Sequence, residues 1–204
     1  AQNLEELHNT SKLVESTLRV DEDYGHIPGT GGNKGTLLKP GAITIAAAFN
    51  CHAEPHVDVN TADPAIGKYG FVNYEVHVDL VSNLSGNVMA RGFGACNSYE
   101  VKYRWRNASP VCPTCGKENI RRSNQGDGYY CWKKTDGCGA TFALGDQGIE
   151  TQAIGKTENQ DPLDLANTLL KMAIKRAEVD AAMRLPGVAR FFTQDLDDMA
   201  TAST

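Results

Sequence analysis

A regular alternation of apolar and polar residues lies in the middle of the chain. The apolar positions are Val72, Tyr74, Val76, Val78 and Leu80, and the polar residues Asn73, Glu75, His77 and Asp79 lie between them. A period of two predicts a β-strand with one buried and one solvated face. Residues 83–87 (NLSGN) predict a turn, and residues 88–99 predict an antiparallel return strand. Two glycines in the return strand, Gly92 and Gly94, predict a bulge or a surface that a polymer approaches closely.

The alternation continues over residues 100–106, so we predict that the return strand extends to Arg106. One face of this extension carries Val101, Tyr103 and Trp105, and the other carries Lys102, Arg104 and Arg106. The extension therefore predicts a basic strand face directly before the cysteine-rich segment.

Helical spacing of apolar residues occurs in three segments. Residues 4–20 predict a first helix, and residues 42–49, preceded by Pro40 in a first-turn position, predict a short buried one. Between them a Gly- and Pro-rich stretch predicts turns and a short strand at residues 36–39. The stretch is not a phosphate-binding P-loop, because Asn33 instead of glycine precedes Lys34.

Asp161 and Pro162 predict the N-terminus of a long C-terminal helix that ends near Arg184. Its apolar stripe comprises Leu165, Ala166, Leu169, Leu170, Ala173, Ala177 and Ala181. Lys171, Lys175 and Arg176 fall on the opposite side and form either a phosphate-facing patch or, for Arg176, an ion pair with Asp180 four residues on.

Six cysteines are present, and four of them have the spacing of a zinc ribbon. Cys112 and Cys115 form a C-x2-C pair, and Cys131 and Cys138 form a second, wider pair. Zn²⁺ prefers four tetrahedral Cys or His ligands, and four thiolates leave no open position, so we predict a structural Zn²⁺ site. Disulfide pairing is the alternative.

These elements predict an α+β fold in which an antiparallel β-hairpin sheet packs on a long C-terminal helix, with an inserted four-cysteine zinc ribbon. We expect residues 1–108 to form the N-terminal part of the α+β core, residues 109–145 the ribbon, and residues 146–204 the helix and tail that complete the core. A second metal site at Cys51, His52 and His56 is disfavoured because no fourth ligand has a diagnostic spacing, and a turn with a strand start is expected there.

The formal net charge of −5 argues against a general nucleic-acid-coating protein, but residues 102–136 contain eight basic and three acidic residues. Aromatic residues are interleaved there: Tyr103, Trp105, Tyr129, Tyr130 and Trp132. Alternating cations and aromatic rings suit single-stranded nucleic acid, although a half-buried strand with a solvated basic face would have the same pattern. Neither a secretory signal pattern nor a run of transmembrane length is present, which predicts a soluble, cytoplasmic protein.

Five segments together carry a resemblance to a known group: DYGHIPGT, TLLKPGA, CNSYEVKYRWR, the ribbon, and DPLDLANTLLKMAIKRAEVDAAMRLPGVARFFTQDLDD. They resemble phage and prophage proteins that look like single-strand annealing recombinases of the Rad-fifty-two type. In that superfamily a Leu-Lys-Arg-Ala-like helix motif lines the DNA groove, and IKRA supplies Lys175 and Arg176 here, with Ile174 in place of leucine. The eukaryotic members lack a zinc ribbon.

The resemblance implies a non-enzymatic protein that binds single-stranded DNA, anneals complementary strands without ATP, and assembles into a ring or helical homo-oligomer in a bacterial host cell. The candidate DNA-binding residues are Lys102, Arg104, Arg106, Lys171, Lys175 and Arg176. We identify no catalytic residues, because the carboxylates show no paired-acid or HExxH arrangement.

Two other functions fit the same residues: a zinc-ribbon interaction protein that regulates or inhibits a host nucleic-acid machine, and a metal-dependent nuclease. The acidic and aromatic tail, residues 191–198, either packs on the domain or binds a neighbouring subunit or a host or phage replication protein.

Overall fold

The computed structural model describes residues 2–26, 35–124, 126–152 and 154–193. It divides the chain into two compact units. The sheet unit combines residues up to Ser98 with those from Leu163 onward, and the ribbon unit comprises Tyr99–Pro162. The ribbon unit extends beyond residues 109–145 on both sides. None of the described helices is long and apolar enough to cross a membrane.

The described residues form five α-helices and eleven β-strands. The helices are α1 (Gln2–Thr17), α2 (Lys39–Ala48), α3 (Val101–Arg104), α4 (Gln147–Glu150) and α5 (Ala166–Met183). The strands are β1 (Tyr24–Gly25), β2 (Gly35–Leu37), β3 (Cys51–Asp63), β4 (Phe71–Ser82), β5 (Val88–Asn97), β6 (Trp105–Ala108), β7 (Ile120–Arg122), β8 (Gly128–Cys131), β9 (Thr141–Ala143), β10 (Gly155–Glu158) and β11 (Phe192–Thr193).

The main sheet of the sheet unit is the antiparallel meander β3–β4–β5. The predicted alternation in β4 is confirmed, because Val72, Val76, Val78 and Leu80 are buried. Helix α5 packs along β4 and β5 and buries Leu169, Ala173, Ala177 and Ala181. The mixed α and β composition, the antiparallel sheets and the C-terminal helix predicted from the sequence are therefore confirmed.

Gly92 and Gly94 allow α5 to lie directly on β5. A Cβ atom at Gly92 would be 2.1 Å from the backbone nitrogen of Ala181, and one at Gly94 would be 2.3 Å from the carbonyl oxygen of Ala173. The helix backbone therefore occupies the space that side chains would need. The two glycines serve the contact between helix and sheet, and the predicted bulge in the ladder lies elsewhere, between Leu80 and Val81.

The start of the C-terminal helix differs from the prediction. A 3-10 turn spans Pro162–Leu165, and Leu165 instead of Asp161 is the N-cap residue of α5, without a side-chain capping bond. At the other end, β11 pairs with β2 in parallel, and buried Phe192 lies 5.3 Å from the ring of Tyr24. This part of the tail packs on the sheet unit, and residues 194–198 lie outside the described residues.

Two segments differ from the sequence-based expectation. Strand β3 is 13 residues long and pairs with β4 over almost its whole length, whereas we expected only a turn and a strand start near Cys51. The predicted extension of β5 to Arg106 is wrong, because residues 101–104 form helix α3. The backbone nitrogens of Tyr103 and Arg104 both donate to the Glu100 carbonyl, which closes a helical turn.

The ribbon unit contains two small antiparallel sheets. Strands β6 and β10 form one, and β7, β8 and β9 form the other. Its core comprises Cys112, Ile120, Cys131 and Ile149, with Cys115, Tyr129 and Phe142 packed against it. Ile149 comes from α4, beyond the predicted ribbon, and Asp146 caps that helix by accepting a bond from the Gly148 nitrogen.

Candidate metal centre and cationic surfaces

The four predicted cysteine ligands converge at one end of the ribbon. Cys112 and Cys115 lie in a turn closed by a 2.8 Å bond from the Gly116 nitrogen to the Cys112 carbonyl, and Gly116 has φ of 72°. That left-handed conformation favours glycine, so the sequence C-x2-C-G matches the turn. Cys131 ends β8, and Cys138 follows a 3-10 turn at Lys133–Thr135.

The sulfur positions fit a tetrahedral metal site. The Sγ atoms of Cys112 and Cys138 lie 3.7 Å apart, as do those of Cys115 and Cys131, and all four ligand atoms lie within 4.8 Å of one another. Four metal–sulfur bonds of about 2.3 Å place tetrahedral ligands about 3.8 Å apart. A disulfide requires about 2.05 Å between sulfurs, and all six cysteines are free thiols. The cluster is compatible with a metal, and the disulfide alternative is wrong for this geometry.

Local hydrogen bonds and burial shift the pKa values of two of the thiols in opposite directions. The backbone N–H of Lys117 donates to Cys115 and lowers the pKa of Cys115 to about 7, whereas burial raises the pKa of Cys131 to about 11. The Cys138 nitrogen also donates to the Cys131 sulfur over 3.3 Å. Backbone amides thus face the sulfurs, as expected where several thiolates share one cation.

An ion pair and side-chain hydrogen bonds connect segments of the ribbon unit that are distant in sequence. The Lys117 ammonium pairs with the carboxylate of Asp136 and donates to its carbonyl over 2.9 Å. Gln152 binds the backbone of Val111 twice, accepting at 2.7 Å and donating at 2.8 Å. Gln152 lies seven residues beyond the predicted end of the ribbon. The sequence carries no signal for this pairing, because a glutamine side chain has no positional signature.

Two cations lie close to the Trp105 ring in the ribbon unit. The Arg104 guanidinium is 5.3 Å from the centre of the Trp105 ring, and the Lys156 ammonium is 5.1 Å from it. Arg104 also lies 5.1 Å from the ring of Tyr99 and donates to Glu158 over 3.0 Å. We call Tyr99, Arg104, Trp105 and Lys156 the Trp105 cluster. Sequence reasoning missed Lys156, because β10 brings it to Trp105 only through pairing with β6.

The other two predicted cations of the ribbon unit, Lys102 and Arg106, are both exposed. The Lys102 ammonium lies 5.5 Å from the ring of Tyr103. They no longer share a strand face with Arg104, because Lys102 lies on α3 and Arg106 on β6. A second cation–aromatic pair joins Arg121 to Trp132 at 4.3 Å.

On α5, the three predicted cations differ in their partners. Lys171 and Lys175 are exposed, lie one turn apart, and form no ion pair with any residue that the structure describes. Arg176 donates to the carbonyl oxygen of Ala95 on β5. Asp180 accepts from the Phe93 nitrogen at 2.8 Å and from Arg184 at 3.1 Å. The alternative pairing of Arg176 with Asp180 is therefore wrong.

The six predicted DNA-binding residues fall in two units. Lys102, Arg104 and Arg106 belong to the ribbon unit, and Lys171, Lys175 and Arg176 belong to the sheet unit. We call these two sets of three residues the cationic surfaces of the ribbon unit and of the sheet unit.

The disfavoured metal site near Cys51 is absent from the clusters found among the described residues. The Cys51 thiol is buried and donates to the Phe49 carbonyl, and His52 bonds to Asn83 and Glu54. His56 instead lies with His77 and Asp79.

Comparison with known proteins gives no relative. No protein-family model matches the chain, and no curated protein and no solved structure matches it either.

Proposed function

We propose that the four-cysteine cluster holds a structural Zn²⁺ ion. The 3.7 Å sulfur separations and the backbone amides that face the sulfurs support this metal and its role. Four thiolates leave no open coordination position, so the ion would supply folding energy to the ribbon and no catalysis.

We propose further that the chain binds single-stranded DNA and anneals complementary strands without ATP, as a phage-type recombination protein. The observation that carries the DNA-binding part is the Trp105 cluster. The indole is partly exposed, and two cations lie within 5.3 Å of its ring centre, so the ring would stack on a base while the cations bind the flanking phosphates. Such contacts do not depend on base sequence, which is what annealing requires.

The sheet unit supports the same proposal. Lys171 and Lys175 lie on one exposed face of α5, which packs on an antiparallel sheet. Lys175 belongs to the IKRA segment, which resembles the groove-lining motif of the annealing superfamily. These ammonium groups have no described ion-pair partner, so phosphate contact would cost no existing ion pair. Arg176 already binds a backbone carbonyl on β5 and would contribute less.

The net charge of −5 opposes binding of one chain to a polyanion. Several copies along one strand would sum the cationic surfaces through effective concentration, so the proposed active form is a homo-oligomer on DNA. Binding would then weaken steeply with salt, by about 0.7 log units per phosphate contact for each log unit of salt.

The test is a salt titration of binding to single- and double-stranded DNA with four proteins: wild type, Trp105→Ala, Trp105→Phe and Lys156→Ala. Loss of one stacked base costs about 1–3 kcal/mol, or about 5–150-fold in affinity. We expect Trp105→Ala to show such a loss, Trp105→Phe to retain most of the affinity, and Lys156→Ala to lower the salt slope. Lys12→Ala on α1 is the charge-matched control and is expected to bind as wild type.

Other outcomes favour the other functions. No affinity for DNA of either kind favours an interaction protein that regulates or inhibits a nucleic-acid machine. Cleavage that depends on added metal favours a nuclease. Equal binding by wild type and Trp105→Ala would contradict the role given to the Trp105 cluster.

A further inference from the structure

The solvent face of the main sheet, opposite the face that α5 covers, carries a cluster of imidazole and carboxylate groups. His56, His77 and Asp79 each place a ligand atom within 4.8 Å of the other two. His56 on β3 lies directly opposite His77 on β4, and their rings stack with centroids 4.7 Å apart and planes 17° from parallel. We propose that these three residues form a second metal site that takes a divalent transition-metal ion such as Zn²⁺.

A β-bulge supplies an orienting carboxylate. The ladder between β3 and β4 shifts register between Val57 and Val59, which leaves Asp58 without a ladder partner. Bulges commonly redirect a side chain in this way. The Asp58 carboxylate lies 2.7 and 2.8 Å from Nδ1 of His77. A carboxylate bound to one ring nitrogen fixes the tautomer and leaves the other nitrogen with its lone pair free for a metal.

The third ligand, Asp79, is charged and held in place. Its side chain is 8% exposed and accepts two bonds from Arg91, at 2.6 and 2.7 Å. A carboxylate has about four acceptor positions, so the two bonds from Arg91 leave lone pairs of Asp79 free to bind a metal. The Asp58 and Asp79 carboxylates outweigh the Arg91 cation, and Glu54 lies opposite Asp79 in the register. The local charge therefore favours a cation.

The ligand set defines the class of ion. Two imidazoles and one carboxylate suit Zn²⁺ and its neighbours in the first transition row, whereas Mg²⁺ and Ca²⁺ prefer oxygen alone. Three protein ligands leave at least one position open to water or another oxygen ligand, unlike the closed four-cysteine cluster. The proposal does not depend on DNA binding, because none of its residues belongs to the cationic surfaces described above.

The experiment measures metal content and Zn²⁺ affinity of the full chain by elemental analysis and calorimetric titration. We expect wild type to bind two Zn²⁺ ions. His56→Ala, which changes an exposed ligand, and His77→Gln should each lower the Zn²⁺ affinity of the second site by at least about tenfold. The four-cysteine cluster should keep its Zn²⁺ ion in both variants. Asp58→Asn should lower the Zn²⁺ affinity of the second site by about 10–100-fold, because Asp58 orients the His77 ring. His52→Ala, an exposed histidine on the same strand, is the matched control and should bind both ions.

Three results would overturn the proposal: Zn²⁺ bound by the four-cysteine cluster alone in wild type, an unchanged Zn²⁺ affinity of the second site in His56→Ala, or an equal loss of that affinity in His52→Ala. Circular dichroism melting of each variant establishes that the sheet unit is folded. If His77→Gln does not fold, His56→Ala decides the outcome. Co²⁺ substitution gives an independent readout, because only the four-cysteine cluster can produce thiolate-to-cobalt charge-transfer absorption.

Discussion

Replacing Gly92 by alanine tests the contact that fixes α5 on the main sheet. The new Cβ would lie 2.1 Å from the Ala181 nitrogen and 2.3 Å from the Ala177 carbonyl oxygen. Ordinary contact begins near 3.4 Å, so the helix and strand must separate by about 1.3 Å at this point. Both neighbours are backbone atoms, so no side-chain rotation relieves the overlap. We expect destabilisation of about 2–3 kcal/mol, at the upper end of overpacking costs.

Thermal unfolding followed by far-ultraviolet circular dichroism measures this change, because the long helices α1, α2 and α5 all belong to the sheet unit. For a chain of this size the expected loss lowers the melting temperature by about 4–12 °C. Both tryptophans, Trp105 and Trp132, lie in the ribbon unit, so their fluorescence reports that unit separately. The control is Gly25→Ala, where the new Cβ meets its nearest atom at 3.4 Å. A melting temperature of Gly92→Ala equal to that of the control would refute the reasoning.

Three further predictions concern the metal, the helix cations and a buried carboxylate. Cys115→Ser, or removal of the metal by a chelator, is expected to change the tryptophan fluorescence of the ribbon unit while the dichroism melt of the sheet unit is retained; an unchanged fluorescence would count against a structural metal. Lys171→Ala combined with Lys175→Ala is expected to lower the salt slope of single-stranded DNA binding by about 1.4, twice the value for one phosphate contact, and an unchanged slope would remove α5 from the interface. Arg91 holds the pKa of Asp79 below its ordinary value, so the pair stabilises the sheet unit above the pKa of the unfolded carboxyl, about 3.9, and that contribution is lost as the pH falls through the lowered pKa. Asp79→Asn should therefore flatten the acid limb of the stability–pH curve, and a limb equal to that of wild type would contradict this.

Much of the sheet unit was predictable because burial on one face leaves a period of two in the sequence. Val72 to Leu80 show that period, and the stripe Leu169, Ala173 and Ala177 shows the corresponding helical spacing. The cysteine cluster was predictable for a different reason: C-x2-C-G encodes one turn, and its chemistry depends on residue type alone.

Other features could not be predicted, each for a physical reason. Strand β3 is an edge strand whose residues are mostly exposed on both faces, so its sequence carries no burial period. Helix α3 is a single turn, too short to show a helical period, and its alternating residues mimic a strand. His56 and His77 are 21 residues apart in sequence and lie opposite each other only because of the register and bulge of β3 against β4. The local sequence does not specify that register.

The annealing rate of complementary DNA strands, with the full chain present and both ATP and Mg²⁺ absent, tests the proposed function most directly. We expect wild type to accelerate annealing well above the protein-free rate, Trp105→Phe to retain most of this acceleration, and Trp105→Ala to lose it. A wild-type rate equal to the protein-free rate, at salt concentrations where the chain binds single-stranded DNA, would contradict the account.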